Sequence, residues 1–168
     1  MSTIRAANIG DLETVFEILG KVIRMLDENG VLQWDHIYPN KSILREDIEN
    51  GHMFVISHDG AIVGAITLNE EAYPGYADIK WNHEGTVLLV HRLIIDPLYQ
   101  RKGFASMLMS FAEKKAERAG YDAIRLDAFV DNPAAIAMYE HRGYRYAGTV
   151  QSRKGEFRCY EKPISMGN

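Results

Sequence analysis

Residues 95–105 combine the end of an apolar strand, a proline turn, a glycine and the start of a helix. Pro97 breaks the strand, and the helix is expected to begin near Gly103. Unpaired N–H groups and the positive dipole end at a helix start favour an anion, and a glycine lets a ligand approach the backbone closely. Four neighbours either keep the first turn open or add positive charge: Ala105, Ser106, Arg101 and Lys102. This segment predicts a phosphate or pyrophosphate site at about residues 101–106, or else an ordinary strand–helix connection.

A second constellation lies at residues 131–144. Asn132 is placed to cap a helix, and Pro133 suits the first helical position. Ile136 and Tyr139 share one face of this helix, and Gly143 provides a left-handed stop. Neither Gly-x-Gly-x-x-Gly nor Gly-x-x-x-x-Gly-Lys-Ser/Thr occurs, which argues against a Rossmann fingerprint or a P-loop.

The elements that must position these residues follow from hydrophobic periodicity and turn residues. They are expected as a strand at about 3–6, a helix from Leu12 stopped by Gly30, a helix at about 41–49, strands at 53–56 and 61–66, a polar aromatic loop at 69–85, a central strand at 86–95, a helix closed by Gly120, a strand at 123–129, a helix at 133–142 and strands at 144–150 and 155–162. The order β-α-α-β-β-β-α-β-α-β-β predicts an α+β fold with a parallel crossover near its middle. The successive strands near 53–66 argue against alternating β-α units of Rossmann or flavodoxin type.

Composition limits the classes of function. The 168 residues are enough for one domain, expected to span 1–168, with 46% hydrophobic residues. The 19 basic against 23 acidic residues give a net charge of -4, which argues against nucleic acid as the main partner. One cysteine excludes an internal disulfide, and six histidines without zinc-binding spacing argue against a metal site. No membrane-length apolar run or signal-peptide pattern is present, so we expect a cytoplasmic protein without a membrane partner.

The pair of motifs, Gln100-Arg101-Lys102-Gly103-Phe104-Ala105 and Asn132-Pro133 with Tyr139-Glu140 and Gly143-Tyr144, resembles the GNAT superfamily of acyl-CoA-dependent N-acyltransferases. The element order along nearly the whole chain agrees with that fold. The stretches Gln33-Trp34-Asp35 with Tyr38-Pro39, and Arg125-Leu126-Asp127, resemble a bacterial branch whose acceptors are mostly unassigned. The resemblance implies a mixed, mostly antiparallel central sheet, splayed between two parallel strands and flanked by helices.

The resemblance also implies roles for individual residues. Loop residues would hold the pyrophosphate of acetyl-CoA, the end of the central strand would pair with the pantetheine arm, and Tyr139 would be the general acid. The expected coenzyme contacts are Leu93, Ile94, Ile95, Gln100, Arg101, Lys102, Gly103, Phe104, Ala105, Ser106, Asn132, Ala135 and Tyr139. Homodimers are common in the superfamily, so a homodimer is a further expectation by analogy.

Acyl transfer from a thioester to an amine requires stabilisation of an oxyanion, protonation of the leaving thiolate and deprotonation of the amine. A backbone N–H near Leu93–Ile95 would stabilise the oxyanion, and Tyr139, with an ordinary pKa near 10, would protonate a thiolate whose thiol has a pKa near 8.5. The amine, with a pKa near 10.4, must first lose a proton to a base or a water chain. His91 or Glu70 is the candidate base, with Glu71, Asp35 and His83 as further possibilities, and the sequence leaves this choice open.

Aromatic and acidic residues indicate where the acceptor would bind. Residues 69–85 carry four acidic residues, Glu70 among them, against one lysine, and they also carry the aromatic Trp81. Residues 34–38 add Trp34 and Tyr38. Such a surface suits a cationic amine through charge pairing and cation–π contact, so we expect a small amine or a peptide amine as acceptor. The alternative is a solvated loop over a small core cluster.

Each assignment has a structural alternative. Tyr139 would then be a core aromatic, Asn132 only a helix cap and His91 a hydrogen-bonded core histidine, while Cys159 is expected to be a small strand side chain. For the whole chain, the leading hypothesis is an N-acetyltransferase that works by direct attack in a ternary complex. The alternative is a non-catalytic acyl-CoA-binding or sensing module with the same fold.

Overall fold

A computed structural model describes residues 1–164 of the chain. In this part the strands and helices are β1 (Ser2–Ala6), α1 (Leu12–Glu28), α2 (Lys41–Glu49), β2 (Met53–His58), β3 (Ala61–Asn69), β4 (Val87–Ile95), α3 (Phe104–Ala119), β5 (Ala123–Phe129), α4 (Pro133–His141), β6 (Arg145–Ser152) and β7 (Gly155–Pro163). Short 3-10 helices lie at Ile9–Asp11, Pro74–Asp78 and Pro97–Tyr99. The predicted element order is confirmed.

The strands form one mixed sheet in the order β1-β2-β3-β4-β5-β7-β6. The β1–β2, β2–β3, β5–β7 and β6–β7 pairs are antiparallel, and β4–β5 is parallel. This confirms the predicted α+β class with a mostly antiparallel sheet, one parallel pair and flanking helices.

The parallel pair is short. Its ladder runs from Val87–Ala123 to Leu89–Arg125, whereas β5 pairs with β7 along its whole length, from Ala123–Pro163 to Phe129–Phe157. The β4–β5 ladder therefore covers only the beginning of each strand, as the expected separation of two parallel strands requires.

The chain divides into two compact units. Unit 1 comprises residues 1–68 and 91–112, and its core joins α1, α2, β2, β3 and the end of β4. Because α1 has apolar residues at helical spacing, one face is buried, with Val15 fully inaccessible. The buried members of this core are Leu12, Val15, Ile18, Leu19, Val22, Leu44, Ile48, Met53, Val55, Ala65 and Ile94.

Unit 2 comprises residues 69–90 and 113–168, of which 165–168 lie outside the described part. One of its core clusters joins Tyr76, Leu89, Val150 and Cys159, with Trp81 among the partly buried residues packed against it. The expectation of one domain over residues 1–168 stays a prediction.

Local signals fix most element ends. The Asn40 side chain caps α2 by accepting a hydrogen bond from the Ile43 N–H group at 3.0 Å, and Asn50 with Gly51 (φ +73°) ends this helix. The expected helix at 133–142 ends one residue earlier, at His141. The predicted loop at 69–85 contains a 3-10 helix because Tyr76 is drawn into the core of unit 2.

None of the helices between residues 1 and 164 is both long and apolar enough to span a membrane.

Candidate active site

The loop between β4 and α3, in unit 1, is held at its β4 end by hydrogen bonds. Asp96 caps the 3-10 turn by accepting from the Leu98 N–H group at 3.0 Å, and its own N–H donates to the Val63 carbonyl at 2.8 Å. The Gln100 side-chain amide donates to the Ile95 carbonyl oxygen at 3.2 Å. The predicted loop residue Gln100 and the predicted strand end are thus brought together, and the loop starts from a fixed point.

Two residues of this loop have left-handed backbones, Arg101 at φ +62° and Gly103 at φ +90°. Turns of this kind direct main-chain N–H groups to one side and form concave anion sites. The side chains of Arg101 and Lys102 are exposed, and no atom lies within 4 Å of where a Gly103 Cβ would be. The glycine is therefore required by its backbone angle, and the space beside it is open to a ligand, as the sequence predicts.

The other predicted coenzyme residues of unit 1 have graded exposure. Ile94, Ile95 and Phe104 are buried, Leu93 and Ala105 are half-buried, and Ser106 is exposed. A Cβ at Gly64 would lie 2.7 Å from the Ile94 carbonyl oxygen, so only glycine permits this approach of β3 to β4.

The strand β4 bends at Arg92, a residue that the sequence analysis passed over as part of an apolar strand. Its φ is +48°, which is strained for a residue with a side chain. The guanidinium donates to both carboxylate oxygens of Asp47, each at 2.7 Å, and to the Tyr38 hydroxyl at 2.8 Å. Thr67 donates to the same carboxylate at 3.0 Å. The candidate acceptor residue Tyr38 is thus attached to the residue that precedes Leu93.

The remaining candidates of unit 1 have different surroundings. Trp34 is partly buried against the core of the unit, and His91 is half-buried beside Arg92 in the chain. Asp35, a further base candidate, accepts from the N–H groups of Ile37 and Tyr38 at 3.0 and 3.1 Å. This carboxylate shapes the turn that carries Tyr38.

In unit 2, the start of α4 has the predicted geometry. The Asn132 side-chain oxygen accepts from the Ala135 N–H group at 3.2 Å, and Pro133 occupies the first turn. Asn132 therefore does cap the helix, a role that is compatible with ligand contact through its amide group.

Tyr139 lies on the buried face of α4, with 6% of its surface exposed and its ring edge-on to Tyr144 at 6.0 Å. Its hydroxyl makes no hydrogen bond to any residue between 1 and 164. Burial, with a contribution from the negative charge of Asp127, raises the pKa of Tyr139 well above that of an ordinary tyrosine. The hydroxyl is consequently protonated at any physiological pH and has its proton available to a ligand.

Asp127, on β5, lies next to this tyrosine. Its Oδ2 atom accepts from the Tyr76 hydroxyl at 2.6 Å, and no cation among residues 1–164 pairs with it. Burial raises the pKa of Asp127, although the hydrogen bond from Tyr76 partly offsets the rise. The sequence predicts no role for Asp127, because its partner Tyr76 lies 51 residues away and no local pattern reveals such a partner.

The candidates in residues 69–85 occupy two places in unit 2. The Arg125 guanidinium lies 4.3 Å from the centre of the Trp81 ring, whose indole N–H donates to the Tyr76 carbonyl at 3.0 Å. Glu70 is exposed and hydrogen-bonds Tyr121, just before the start of β5. Tyr121 precedes Asp127 by six residues, which span about 20 Å in an extended strand. Glu70, which contacts Tyr121, is therefore not brought together with Asp127. No group of three or more His, Cys, Asp or Glu side chains that suits a metal ion is present in residues 1–164.

Comparisons with known proteins identify relatives along most of the chain. A family model described as "Acetyltransferase (GNAT) family" matches residues 21–144. An acetyltransferase of Yersinia pestis is 27% identical over 135 residues, which covers 76% of this chain and 86% of that protein.

Solved structures share the fold. A GNAT-family acetyltransferase of Streptococcus agalactiae has a TM-score of 0.83 at 22% identity, covering 98% of this chain and 96% of that one. The ribosomal-protein-S18-alanine N-acetyltransferase of Escherichia coli has a TM-score of 0.73 at 19% identity, covering 100% and 97%. These two likenesses are evidence for the fold alone.

Proposed function

Because the chain belongs to the GNAT family of acetyltransferases, we propose that it moves the acetyl group of acetyl-CoA to a primary amine by direct attack in a ternary complex. The chain is an acyltransferase enzyme. The observation that carries the proposed chemistry is Tyr139, a buried tyrosine whose hydroxyl has no hydrogen-bond partner in residues 1–164. It lies near Asp127, a half-buried carboxylate that no cation of the described residues pairs with. A module that only binds acyl-CoA would need neither group.

In this proposal the loop of unit 1 binds the pyrophosphate. The left-handed residues Arg101 and Gly103 direct main-chain N–H groups outward, and the exposed basic side chains of Arg101 and Lys102 add attraction. Leu93–Ile95 offer main-chain groups at a strand end to the amides of the pantetheine arm. Asn132 and Ala135, at the first turn of α4, are the coenzyme contacts assigned in unit 2.

We assign the general base to Asp127 instead of the sequence candidates His91 and Glu70. Its raised pKa makes the carboxylate a stronger base than an exposed aspartate, and its Oδ1 atom is not engaged by Tyr76. Glu70 contacts Tyr121 at the opposite end of β5. His91 is kept as the alternative to be compared in the same assay.

The proposed reaction needs a base, a donor to the oxyanion and an acid. Asp127 accepts a proton from the ammonium group of the acceptor, and the free amine forms its C–N bond with the thioester carbon. A main-chain N–H near Leu93 stabilises the oxyanion, an effect of about 3–4 kcal/mol where such a donor has been removed in enzymes. As the C–S bond breaks, the Tyr139 hydroxyl donates its proton to the leaving sulfur, and the nitrogen of the adduct releases its second proton to water, which leaves the neutral amide and free CoA. Because the pKa of Tyr139 is raised, the hydroxyl is protonated before the C–S bond breaks, and it takes a proton back from water after the transfer.

Calorimetric titration of acetyl-CoA and free CoA tests the binding half of the proposal. We expect saturable binding of both ligands to the wild-type protein and loss of that binding in Gly103→Leu. Gly30→Leu is the matched control, because Gly30 also has a positive φ (+76°) and an open Cβ direction but follows α1. Binding by folded Gly103→Leu equal to that of wild type would contradict the loop assignment.

The catalytic half is tested by Tyr139→Phe in the same preparation. The loss of a general acid should lower turnover by about 10²–10⁴-fold while acetyl-CoA binding is nearly unchanged, since the hydroxyl makes no hydrogen bond to residues 1–164 whose loss would disturb the fold. A variant as active as wild type would refute the role of Tyr139, and no binding of acetyl-CoA by folded wild-type protein would refute the transferase proposal. The cytoplasmic location and the homodimer stay predictions.

A further inference from the structure

The polar network at Arg92 contains more than a strand bend requires. The Asp47 carboxylate, at 5% exposure, accepts three hydrogen bonds, two from Arg92 and one from the fully buried Thr67. A buried carboxylate is tolerated when it is paired and hydrogen-bonded in this way. Asp47 therefore fixes the plane of the Arg92 guanidinium and directs its remaining N–H groups.

One of those groups donates to the Tyr38 hydroxyl at 2.8 Å. A guanidinium has five N–H donors and no acceptor, so the tyrosine oxygen must be the acceptor in this contact. The hydroxyl hydrogen of Tyr38 therefore points away from Arg92. Tyr38 is 41% exposed, and its hydroxyl makes no other hydrogen bond to residues 1–164. The network thus presents one oriented O–H donor at the surface.

The main chain around Tyr38 is also fixed. Asp35 accepts from the Tyr38 N–H group at 3.1 Å, and the Asp35 N–H group donates to the Tyr38 carbonyl at 3.0 Å. A donor held both by its backbone and by its own oxygen loses little conformational freedom on binding, which favours recognition of a specific atom.

The position and charge of this donor indicate what it recognises. Arg92 directly precedes Leu93, the first of the strand residues assigned above to the coenzyme, so the donor is attached to that strand. The positive charge of Arg92 is balanced by Asp47, and the network therefore does not repel a protonated amine. An O–H donor in a neutral setting suits a carboxylate or carbonyl oxygen on the same molecule as the amine.

We propose that the Tyr38 hydroxyl, positioned by Arg92, selects acceptors that carry a hydrogen-bond-accepting oxygen close to the amine, as amino acids and peptide N-termini do. This inference rests on the proposed acetyl transfer. It narrows the acceptor class, because a plain alkylamine or polyamine offers no such oxygen to Tyr38. Arg92 is a positioning residue in this scheme, and it does not contact the acceptor.

The experiment measures CoA release from acetyl-CoA with three matched sets of acceptors: L-amino acids, dipeptides with the same first residue, and the amines that lack the carboxylate. We expect the first or second set to exceed the third by about tenfold in kcat/KM for the same side chain. A preference for free amino acids identifies a carboxylate as the recognised group, and equal use of dipeptides identifies a carbonyl.

Two variants assign the preference to this network. Tyr38→Phe should raise the KM for the best acceptor about tenfold with kcat within about threefold of wild type, and should remove the preference over plain amines. Arg92→Lys, which cannot hold both Asp47 and Tyr38, should raise the same KM, and the double variant should add little to either single one. Tyr146→Phe is the control, since it removes an exposed hydroxyl that hydrogen-bonds the neighbouring Thr149.

The outcomes separate this inference from the proposed function. Equal use of plain amines, or an unchanged acceptor KM in Tyr38→Phe, overturns the inference and leaves the transferase activity established. A loss of thermal stability in Arg92→Lys without a change in acceptor KM likewise overturns it, because that is the signature of a purely structural bridge. Acetyl-CoA binding with no acceptor used from any set contradicts the inferred class, whereas failure to bind acetyl-CoA contradicts the proposed function itself.

Discussion

Two carboxylates of this protein, Asp47 on helix α2 and Asp127 on strand β5, have opposite surroundings. Asp47, in unit 1, accepts two hydrogen bonds from Arg92 and one from Thr67. Asp127, in unit 2, accepts one hydrogen bond from Tyr76 and pairs with no cation among residues 1–164. The first carboxylate is fully compensated, and the second keeps an unsatisfied negative charge beside Tyr139.

This difference indicates which carboxylate can react. An ion pair whose carboxylate accepts three hydrogen bonds, at both of its oxygens, stabilises a fixed arrangement and leaves little for a substrate. A carboxylate with a raised pKa and a free oxygen binds a proton more readily, and its ionised form is tolerated at a cost in stability. Asp47 is therefore a structural group that orients Arg92 and Tyr38, whereas Asp127 is suited to accept a proton.

The largest expected effect comes from Asp127→Asn. As the loss of a general base, it should lower kcat by about 10²–10⁴-fold in assays of CoA release at saturating acetyl-CoA. Because Asn can still accept the hydrogen bond from Tyr76, the fold should be retained. His91→Asn in the same assay should change kcat by less than about tenfold; a larger loss in His91→Asn than in Asp127→Asn would transfer the base role to His91.

The same Asp127→Asn substitution should leave the free energy of unfolding unchanged or raise it, although it lowers kcat. The pKa of Asp127 is higher in the folded chain than in the unfolded chain, so the folded state binds the proton more tightly. Its contribution to stability is fully present below the unfolded pKa and is lost as pH rises through the folded pKa. At neutral pH, Asp127→Asn should therefore unfold at the same or a higher urea concentration than wild type. A clear destabilisation would mean that the Asp127 charge is compensated after all.

Asp47→Asn should have the second largest effect, and it should be on stability. Removal of one partner from a buried ion pair leaves Arg92, whose side chain is 11% exposed, without its counter-charge. We expect a loss of about 3–5 kcal/mol in the free energy of unfolding, measured in urea. Asp11→Asn is the matched control: its partner Arg5 is 46% exposed, so the pair should contribute at most about 1 kcal/mol. Equal losses in the two variants would contradict the comparison.

The elements that carry the two carboxylates, α2 and β5, could be predicted from the sequence. Helix α2 has the predicted bounds because Asn40 and Gly51 are local signals. Strand β5 also has the predicted bounds, because it lies between the helix stop at Gly120 and the helix cap at Asn132. The conformation at Gly103 and the cap at Asn132 likewise depend on neighbours in the chain.

The partners of the two carboxylates could not be predicted in the same way. Arg92 lies 45 residues from Asp47, and Tyr76 lies 51 residues from Asp127. An arginine within an apolar strand, or an aspartate after a leucine, carries no local sign of its partner. The 3-10 helix around Tyr76 was missed for the same reason, since the burial of that side chain in the core of unit 2 accompanies it.

The smallest expected effect concerns Cys159, which pairs with Asp127 across β5 and β7. Burial, with a contribution from the negative charge of Asp127, raises the pKa of this thiol to about 12. At pH 8 the thiolate is then roughly one part in ten thousand, so alkylation by iodoacetamide should be far slower in the folded chain than in urea. Asp127→Asn removes the nearby charge and should increase the labelling rate at pH 8–9 by a few-fold. Asp47 is not among the groups that raise the pKa of Cys159, so Asp47→Asn should have no such effect while the protein is folded. Equal labelling in wild type and Asp127→Asn would show that Asp127 is already neutral at that pH, and would remove the basis for its role as the base.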